Sequence, residues 1–274
     1  MGGFVGSSGS DYMNYIVGDS VVSGAGQVEQ FSEHIISMPG SFLANDHKNT
    51  CAFALERSGR ERSDYGLDDD SFVFASFNQM YKVTPEIFGV WCDILKAVPN
   101  SVLWLLRFPP RAENNLREEA IKRGVDPERL VFSDVVGKEE HIQRAQLADL
   151  FLDTPFCGAT TGCDVLWSGT PMISRLGEAM HERVGGSLLR ACGLEGLCVD
   201  TYEEYTSLAV ALATDPEVLL SHRLALEEGR THCDLFDLRK YVYNLEHGLL
   251  QIVHGYERGH EFKSIECDFT KPHK

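Results

Sequence analysis

The sequence predicts an α/β fold in which a parallel sheet is flanked by helices, as in a Rossmann-like lobe. From residue 71 onward, short β-branched or aromatic runs alternate with amphipathic helical stretches at the spacing of repeated β-α units. The run over 102–108 is nearly all apolar, which is typical of a strand covered on both faces. We therefore expect this run at the centre of the sheet.

Local signals place the individual elements. Thr84 and Pro85 predict a helix start, because threonine caps helices and proline suits the first helical position. The pair Thr201 and Glu204 and the single Asp215 predict two more starts. The predicted strands cover residues 72–78, 102–108, 130–133, 150–153, 171–174 and 197–200. The predicted helices cover residues 85–98, 113–123, 138–147, 178–192, 202–214, 216–229 and about 239–256, with another passing through 165–167.

The first 70 residues have a different character. A Gly/Ser-rich start is followed by a strand-like run at 15–17 and an amphipathic pattern that predicts a helix around 28–38. Residues 49–70 are polar and charged, which is typical of a linker. We predict an N-terminal segment over 1–48, a linker over 49–70, a Rossmann-like lobe over 71–236 and a C-terminal helix and tail over 237–274.

Charge and cysteine content limit the possible partners and compartments. The net charge of −16 repels phosphate backbones and anionic lipid surfaces, so we expect neither nucleic acid nor a membrane as partner. The eight cysteines form no C-x-x-C pair, and several lie in apolar stretches, which favours reduced thiols. No apolar run approaches the roughly 18–20 residues of a membrane span. We expect a soluble protein of the cytoplasm and nucleus.

Small residues follow the predicted strand over 150–153, in the order Gly158-Ala159-Thr160-Thr161-Gly162. Small residues let backbone N–H groups approach a ligand, the hydroxyls add donors, and a helix N-terminus carries partial positive charge. The pattern predicts an anion cradle at the carboxyl end of a strand, with a plain strand-to-helix turn as the alternative. We expect Asp164 in the first helical turn, accepting from ribose hydroxyls or complementing the helix dipole.

Two further groups of polar residues follow predicted strands. Lys138, His141 and Arg144 share one helical face and could line one crevice, the imidazole stacking on a base. A solvated charged helix is the alternative. Gln79 and Lys82 come after the strand over 72–78, where ligands of open α/β sheets bind, and could touch a phosphate. A capped turn is the alternative there.

The acidic run Asp68-Asp69-Asp70 matches the D-x-D pattern with which some sugar transferases hold a divalent metal. The run lies in the predicted linker, before the first strand of the lobe. We interpret it as a solvated charge run and expect no metal site.

At these residues the chain closely resembles the C-terminal catalytic region of the O-GlcNAc transferase family. The resemblance covers most of residues 6–257. Its strings are FNQMYK (77–82), VPNSVLWLLRFP (98–109), KEEH (138–141), QLAD (146–149), LDTP (152–155) and DVLWSGTPM (164–172).

The resemblance implies a GT-B architecture and an inverting, metal-independent transfer of GlcNAc from UDP-GlcNAc to Ser or Thr hydroxyls of nuclear and cytoplasmic proteins. Carried over residue by residue, it assigns a part of the donor to each matching position. The diphosphate is assigned to Gln79 and Lys82, and the phosphates are also assigned to Thr160 and Thr161. The uridine is assigned to Lys138, His141 and the backbone near Val136, with Arg144 supporting them. The ribose is assigned to Asp164. Lys82 is the expected catalytic residue, because charge builds on the leaving UDP and a fixed cation lowers that barrier.

The chain departs from the family pattern in two respects. Where the family commonly has Asn-Gly-His-Thr-Thr, this chain has Cys157-Gly158-Ala159-Thr160-Thr161, which lacks the histidine. The family's helical repeats and most of its N-terminal catalytic lobe, with the acceptor-side histidines, have no counterpart here. We therefore expect the donor-nucleotide part of a transferase that binds UDP weakly and transfers little by itself. The alternatives are protein O-fucosylation from GDP-fucose, as in the related SPINDLY branch, and a non-catalytic nucleotide-sugar-binding remnant.

Overall fold

Two parallel sheets form the framework of the computed structural model, which describes residues 6–57, 59–156 and 158–267. The strands are β1 (Tyr15–Asp19), β2 (His34–Met38), β3 (Phe72–Ser76), β4 (Ser101–Leu106), β5 (Leu130–Ser133), β6 (Leu150–Leu152), β7 (Met172–Arg175), β8 (Cys198–Val199) and β9 (Ile265–Glu266). The larger sheet has the order β5-β4-β3-β6-β7-β8 and the smaller one the order β1-β2-β9. Each of these strand pairs is parallel.

Helices and short 3₁₀ turns connect the strands. The helices are α1 (His47–Thr50), α2 (Pro85–Ala97), α3 (Arg111–Lys122), α4 (Lys138–Ala145), α5 (Ala159–Ser168), α6 (Val184–Ala191), α7 (Tyr202–Thr214), α8 (Pro216–Gly229) and α9 (Leu238–Glu257). The predicted starts of α2, α7 and α8 are confirmed, because Thr84, Thr201 and Asp215 each accept a backbone N–H of the first helical turn. In the described part of the chain, none of the helices has the length and apolarity needed to cross a bilayer.

The larger sheet reverses its winding between β3 and β6. From β3 the chain proceeds through β4 to β5 on one side, and from β6 it proceeds through β7 to β8 on the other. Open α/β sheets bind ligands at such a switch point, outside the carboxyl ends of the two strands. The expectation that residues 102–108 lie at the centre is wrong, since β4 has only β5 between it and one edge. The apolar composition of β4 arises because both of its faces are buried. A strand next to the edge strand can be buried on both faces as well as a central one.

One predicted helix is replaced by other structure, and another is shortened at its start. Over 28–38 the chain forms a 3₁₀ turn, Val28–Gln30, and then β2. Pairing with β1 on one side and β9 on the other prevails over the helical periodicity there, and it buries Ile35 and Ile36. Over 178–192 a separate turn comes before α6, because the Glu182 carboxylate accepts the N–H of Ala179 and closes that turn on itself.

The polar segment 49–70 is anchored on the larger sheet. Its apolar members Cys51, Ala54 and Leu67 are buried. The indole Nε1 of Trp167 in α5 donates to the Cys51 carbonyl oxygen at 2.7 Å. Arg62 forms an ion pair with Asp149, with 2.8 Å between nitrogen and oxygen. These contacts hold α1 and the turns after it against the lobe.

We expect Trp167→Phe to lower the free energy of unfolding by about 1–3 kcal/mol, because it removes the buried hydrogen bond from the indole to the Cys51 carbonyl, which keeps only the Ala54 N–H, and leaves a cavity. Urea denaturation measures this loss. Trypsin cleavage at the exposed Arg60 is also expected to accelerate. The matched control is Trp104→Phe, which removes a similar buried bond to Ser133. Equal acceleration of cleavage in both variants would contradict the anchoring of this segment by Trp167.

Candidate functional site

The carboxyl ends of β3 and β6 are joined by buried hydrogen bonds. Asn78 follows β3, and its Nδ2 donates to the Asp153 carboxylate at 3.3 Å and to the Thr154 hydroxyl at 3.0 Å, both just after β6. All three side chains are buried. Since buried polar groups without partners are costly, these bonds fix the two strand ends relative to each other.

Asp153 extends this connection to β7 and α7. Its carboxylate accepts from the Ser174 hydroxyl at 2.9 Å, and its carbonyl accepts from the Tyr205 hydroxyl at 3.0 Å. Burial raises the pKa of Asp153 to about 6, while its hydrogen bonds and the positive charge of Lys82 act in the opposite direction. The electrostatic effect of Lys82 on this carboxylate indicates that the ammonium group lies near the switch point. Lys82 itself ends a 3₁₀ turn directly after β3.

Gly158 passes so close to Asn78 that a side chain would not fit. A Cβ atom on Gly158 would lie 1.9 Å from Asn78 Oδ1. The backbone then enters α5, a helix of 10 residues with Thr160 and Thr161 in its first turn. Thr160 is exposed and Thr161 is half-buried. The segment predicted to cradle an anion thus forms the N-terminus of α5 at the switch point, and Gly158 allows its close approach to Asn78. Cys157 lies outside the described residues.

His141 is held in one orientation by groups beneath it. Arg144 is fully buried; one of its nitrogens lies 3.1 Å from His141 Nδ1, and another donates to the Asp134 carbonyl at 2.8 Å. Because a guanidinium can only donate, Nδ1 accepts and the ring proton resides on Nε2. Phe77 packs edge-to-face against the imidazole at 5.5 Å and under the guanidinium at 4.9 Å. Arg144 thus supports His141 from within the core and does not line the crevice.

The charge state of His141 follows from this environment. Burial, and secondarily the charge of Arg144, lower the pKa of His141 to about 4, although Asp164 acts the other way. The imidazole is therefore neutral near pH 7. It offers an Nε2–H donor and an aromatic ring without carrying positive charge.

Asp164 lies deeper in α5 than the sequence suggested. The helix begins at Ala159, so Asp164 is its sixth residue, and the prediction that it lies in the first turn is wrong. Its side chain is buried between two histidines. The Oδ1 atom lies 2.7 Å from His47 Nε2, and the Oδ2 atom lies 3.9 Å from His141 Nε2. The second distance is too long for a hydrogen bond.

The remaining predicted residues, Gln79, Val136 and Lys138, lie on segments that follow strands at this same carboxyl edge of the sheet. Gln79 is exposed and begins the turn after β3. Val136, half-buried, lies between β5 and α4, and the exposed Lys138 is the first residue of α4. Direct contacts join His141 to Arg144, whereas Gln79 and Lys138 are related to the crevice by position alone.

His47 and Asp153 were not recognised as site residues from the sequence. Asp153 had a detectable signal, since it is a carboxylate at the end of the apolar strand β6. His47 had none, because its partner is 117 positions away and comes near only in the folded chain.

Other cavities lie at the opposite, amino-terminal edge of the sheet. Two of them have volumes of about 530 and 570 Å³ and share Arg62, Asp149 and Arg223 in their walls. These arginines are engaged: Arg62 donates to Asp149 and to carbonyls, and Arg223 donates to the Ala148 carbonyl at 2.6 Å. The exposed run Asp68-Asp69-Asp70 precedes β3 at this same edge, away from Lys82. We assign the site by its converging polar groups and not by cavity size.

Comparison with known proteins gives three main findings. The profile of glycosyl transferase family 41 matches residues 1–62 and 59–245. A probable UDP-N-acetylglucosamine–peptide N-acetylglucosaminyltransferase SEC from Arabidopsis thaliana is 44% identical over 277 residues, which cover 99% of this chain and 28% of that protein. A UDP-N-acetylglucosamine–peptide N-acetylglucosaminyltransferase from Caenorhabditis elegans is 45% identical over 213 residues, which cover 77% of this chain and 18% of that protein. The chain thus spans less than a third of the length of these relatives.

A solved structure gives the same likeness at the level of the fold. A mutant O-GlcNAc transferase from Thermobaculum terrenum superposes with a TM-score of 0.79 at 25% identity, covering 92% of this chain and 48% of that one. Together with the parallel sheets and flanking helices, this confirms the predicted fold class, a Rossmann-like C-terminal lobe of the GT-B type.

We expect Gly158→Ala to lower the free energy of unfolding by about 1–3 kcal/mol, because the added methyl group overlaps the buried Asn78 amide. Thermal and urea denaturation measure the effect. Gly229→Ala is the matched control, since nothing lies within 4 Å of its added Cβ. If both variants are equally stable, the close approach of the loop to β3 is wrong.

The pKa of His141 makes stability depend on pH. As the pH falls from 6.5 to about 4, the unfolded chain takes up a proton on His141 that the native state does not. The free energy of unfolding therefore declines over this window by about 2–4 kcal/mol. His141→Gln is expected to lose that part of the decline, as urea denaturation between pH 4 and pH 7 would show. The exposed His254→Gln is the control, and an unchanged slope in His141→Gln would contradict the burial argument.

Proposed function

Because this chain belongs to glycosyltransferase family 41, we propose that it forms the donor-nucleotide lobe of an enzyme transferring GlcNAc from UDP-GlcNAc to Ser or Thr hydroxyls of proteins. The observation that carries the proposal is the group of residues at the switch point. The loops and helices that follow the carboxyl ends of β3, β5 and β6 carry Lys82, His141 and Asp164, and α5 also presents its N-terminus there.

Each part of the donor has a matching partner in the proposal. Gln79, Lys82 and the backbone N–H groups and hydroxyls of Thr160 and Thr161 bind the diphosphate, because cations and helix N-termini favour anions. The neutral ring of His141 stacks on the uracil. Lys138 and the backbone near Val136 complete the uridine subsite, and Asp164 accepts from the ribose hydroxyls. This division of roles is supported by the burial and orientation of His141 and Asp164.

The proposed reaction is a direct displacement with inversion. The acceptor hydroxyl oxygen forms a bond to the anomeric carbon while the bond from that carbon to the β-phosphate oxygen breaks. The bonding electrons leave with UDP, and the hydroxyl proton passes to a base or to solvent. Lys82 stabilises the charge that develops on UDP, so the proposal requires no metal ion.

The alternatives differ in donor and in catalysis. The GDP-fucose alternative predicts that GDP competes better than UDP, and the remnant alternative predicts nucleotide binding without transfer. We also propose cytoplasmic and nuclear residence, because the cysteines of the described residues are free thiols, which persist in reducing compartments. Fluorescence microscopy of the tagged chain tests that location.

Isothermal titration with UDP is expected to show saturable binding by the wild-type chain. Lys82→Ala and His141→Ala should each weaken it about tenfold or more, because each removes a contact worth at least about 1.4 kcal/mol. The control is Lys122→Ala, a lysine of α3 whose ammonium pairs with Glu119 at 3.3 Å. Absence of saturable binding by the wild type would overturn the donor site.

The enzymatic role is tested with the longest protein product of the gene. The assay measures the transfer of radiolabelled GlcNAc from UDP-GlcNAc to protein acceptors. Lys82→Ala should reduce the rate by about 10²–10³, since it removes a group aimed at the leaving charge. A faster transfer from GDP-fucose would support the fucosylation alternative.

A further inference from the structure

We propose that His47 is a positioning residue for the donor nucleotide. It fixes the Asp164 carboxylate so that one oxygen is presented to a ribose hydroxyl. This inference rests on the proposed function and adds to it a residue from the N-terminal segment, outside the Rossmann-like lobe.

The contact between the two residues is short and buried. His47 begins α1 and is 5% exposed, and Asp164 in α5 is equally buried. The distance from His47 Nε2 to Asp164 Oδ1 is 2.7 Å. Because the two groups exclude water from each other, this hydrogen bond restricts the carboxylate more than an exposed one would.

The direction of this hydrogen bond follows from the other ring nitrogen. His47 Nδ1 is buried and has no hydrogen-bond partner among the described residues. A proton on Nδ1 would leave a buried N–H without an acceptor, which is costly. The proton therefore resides on Nε2 and is donated to Asp164. Trp167 and Phe236 pack against the imidazole, with ring centroids at 6.4 and 5.8 Å, and limit its rotation.

Fixing Oδ1 leaves Oδ2 for the ligand. Oδ2 lies 3.9 Å from His141 Nε2, and Arg144 keeps a proton on that nitrogen. A hydroxyl that lies within about 2.8 Å of both atoms can accept from His141 and donate to Asp164. The described geometry thus provides a donor and an acceptor for one ribose hydroxyl, and His47 holds the acceptor in place.

A purely structural role for His47 is the competing explanation. The segment carrying His47 already has other anchors on the lobe, among them Trp167 to Cys51 and Asn45 to the Leu235 carbonyl at 2.5 Å. Loss of a structural anchor would weaken binding of every nucleotide alike. Loss of a positioning residue would weaken only those nucleotides that carry the ribose hydroxyls.

The test compares the dissociation constants of UDP and 2′,3′-dideoxyuridine 5′-diphosphate, measured by isothermal titration. His47→Phe keeps an aromatic ring in place but removes the donor, and His47→Gln keeps an N–H donor. We expect His47→Phe to weaken UDP binding about tenfold, the loss of one charge-assisted hydrogen bond, and to leave the dideoxy analogue within about twofold. His47→Gln should retain most of the preference for UDP. The matched control is Lys48→Ala, which removes another anchor of this segment, the hydrogen bond to the Thr231 carbonyl, and should leave the ratio of the two constants unchanged.

The outcomes separate this inference from the proposed function. If the wild-type chain binds neither nucleotide, the donor site fails and His47 with it. If the wild type prefers UDP but His47→Phe weakens both ligands equally, the donor site stands and the positioning role is overturned. A double variant of His47→Phe with Asp164→Asn should bind UDP no more weakly than Asp164→Asn alone, and an additive loss would also overturn the role. Circular dichroism establishes folding, and His47→Gln decides the question if His47→Phe does not fold.

Discussion

The buried bonds from Asn78 to Asp153 and Thr154 are the constraint on which the site depends. They tie together the two strands at which the larger sheet changes its direction of winding. Both the turn with Lys82 and the entry to α5 start from these strand ends, so the spacing between the lysine and the helix N-terminus is set by buried chemistry. Gly158 is part of the same constraint, since only a residue without a side chain can pass Asn78 so closely.

The candidate site contains both a charged and a neutral side chain, and their surroundings determine which is which. Positive charge comes from Lys82 in the turn after β3, whereas His141 is kept neutral by burial, which lowers its pKa to about 4. Buried Arg144 adds to this effect and at the same time orients the ring. The proposed diphosphate and uridine subsites require different surroundings, and Lys82 and His141 offer them from different elements at the carboxyl edge of the sheet.

The sequence predicted the repeated β-α order and most helix starts, because caps such as Thr84 and Asp215 act within one turn. The sequence-based prediction failed where pairing with strands distant in the chain determines the secondary structure. The segment His34–Met38 has a helical pattern but forms β2, because it pairs with β1 and β9. The same limit applies to the site. Lys82 and His141 lie in motifs that can be recognised locally, whereas the contact between His47 and Asp164 exists only after the N-terminal segment packs on α5.

The pairing of β9 with β2 has a consequence for synthesis on the ribosome. The smaller sheet takes β1 and β2 from early in the chain and β9 from residues 265–266. Every strand of the larger sheet has been translated by residue 199, long before β9 leaves the exit tunnel. The larger sheet can therefore form during translation, whereas Ile36 and Met38 wait for their last neighbour until after α9 has emerged. Chain elongation thus favours an order of assembly in which the larger sheet forms before the smaller sheet is complete.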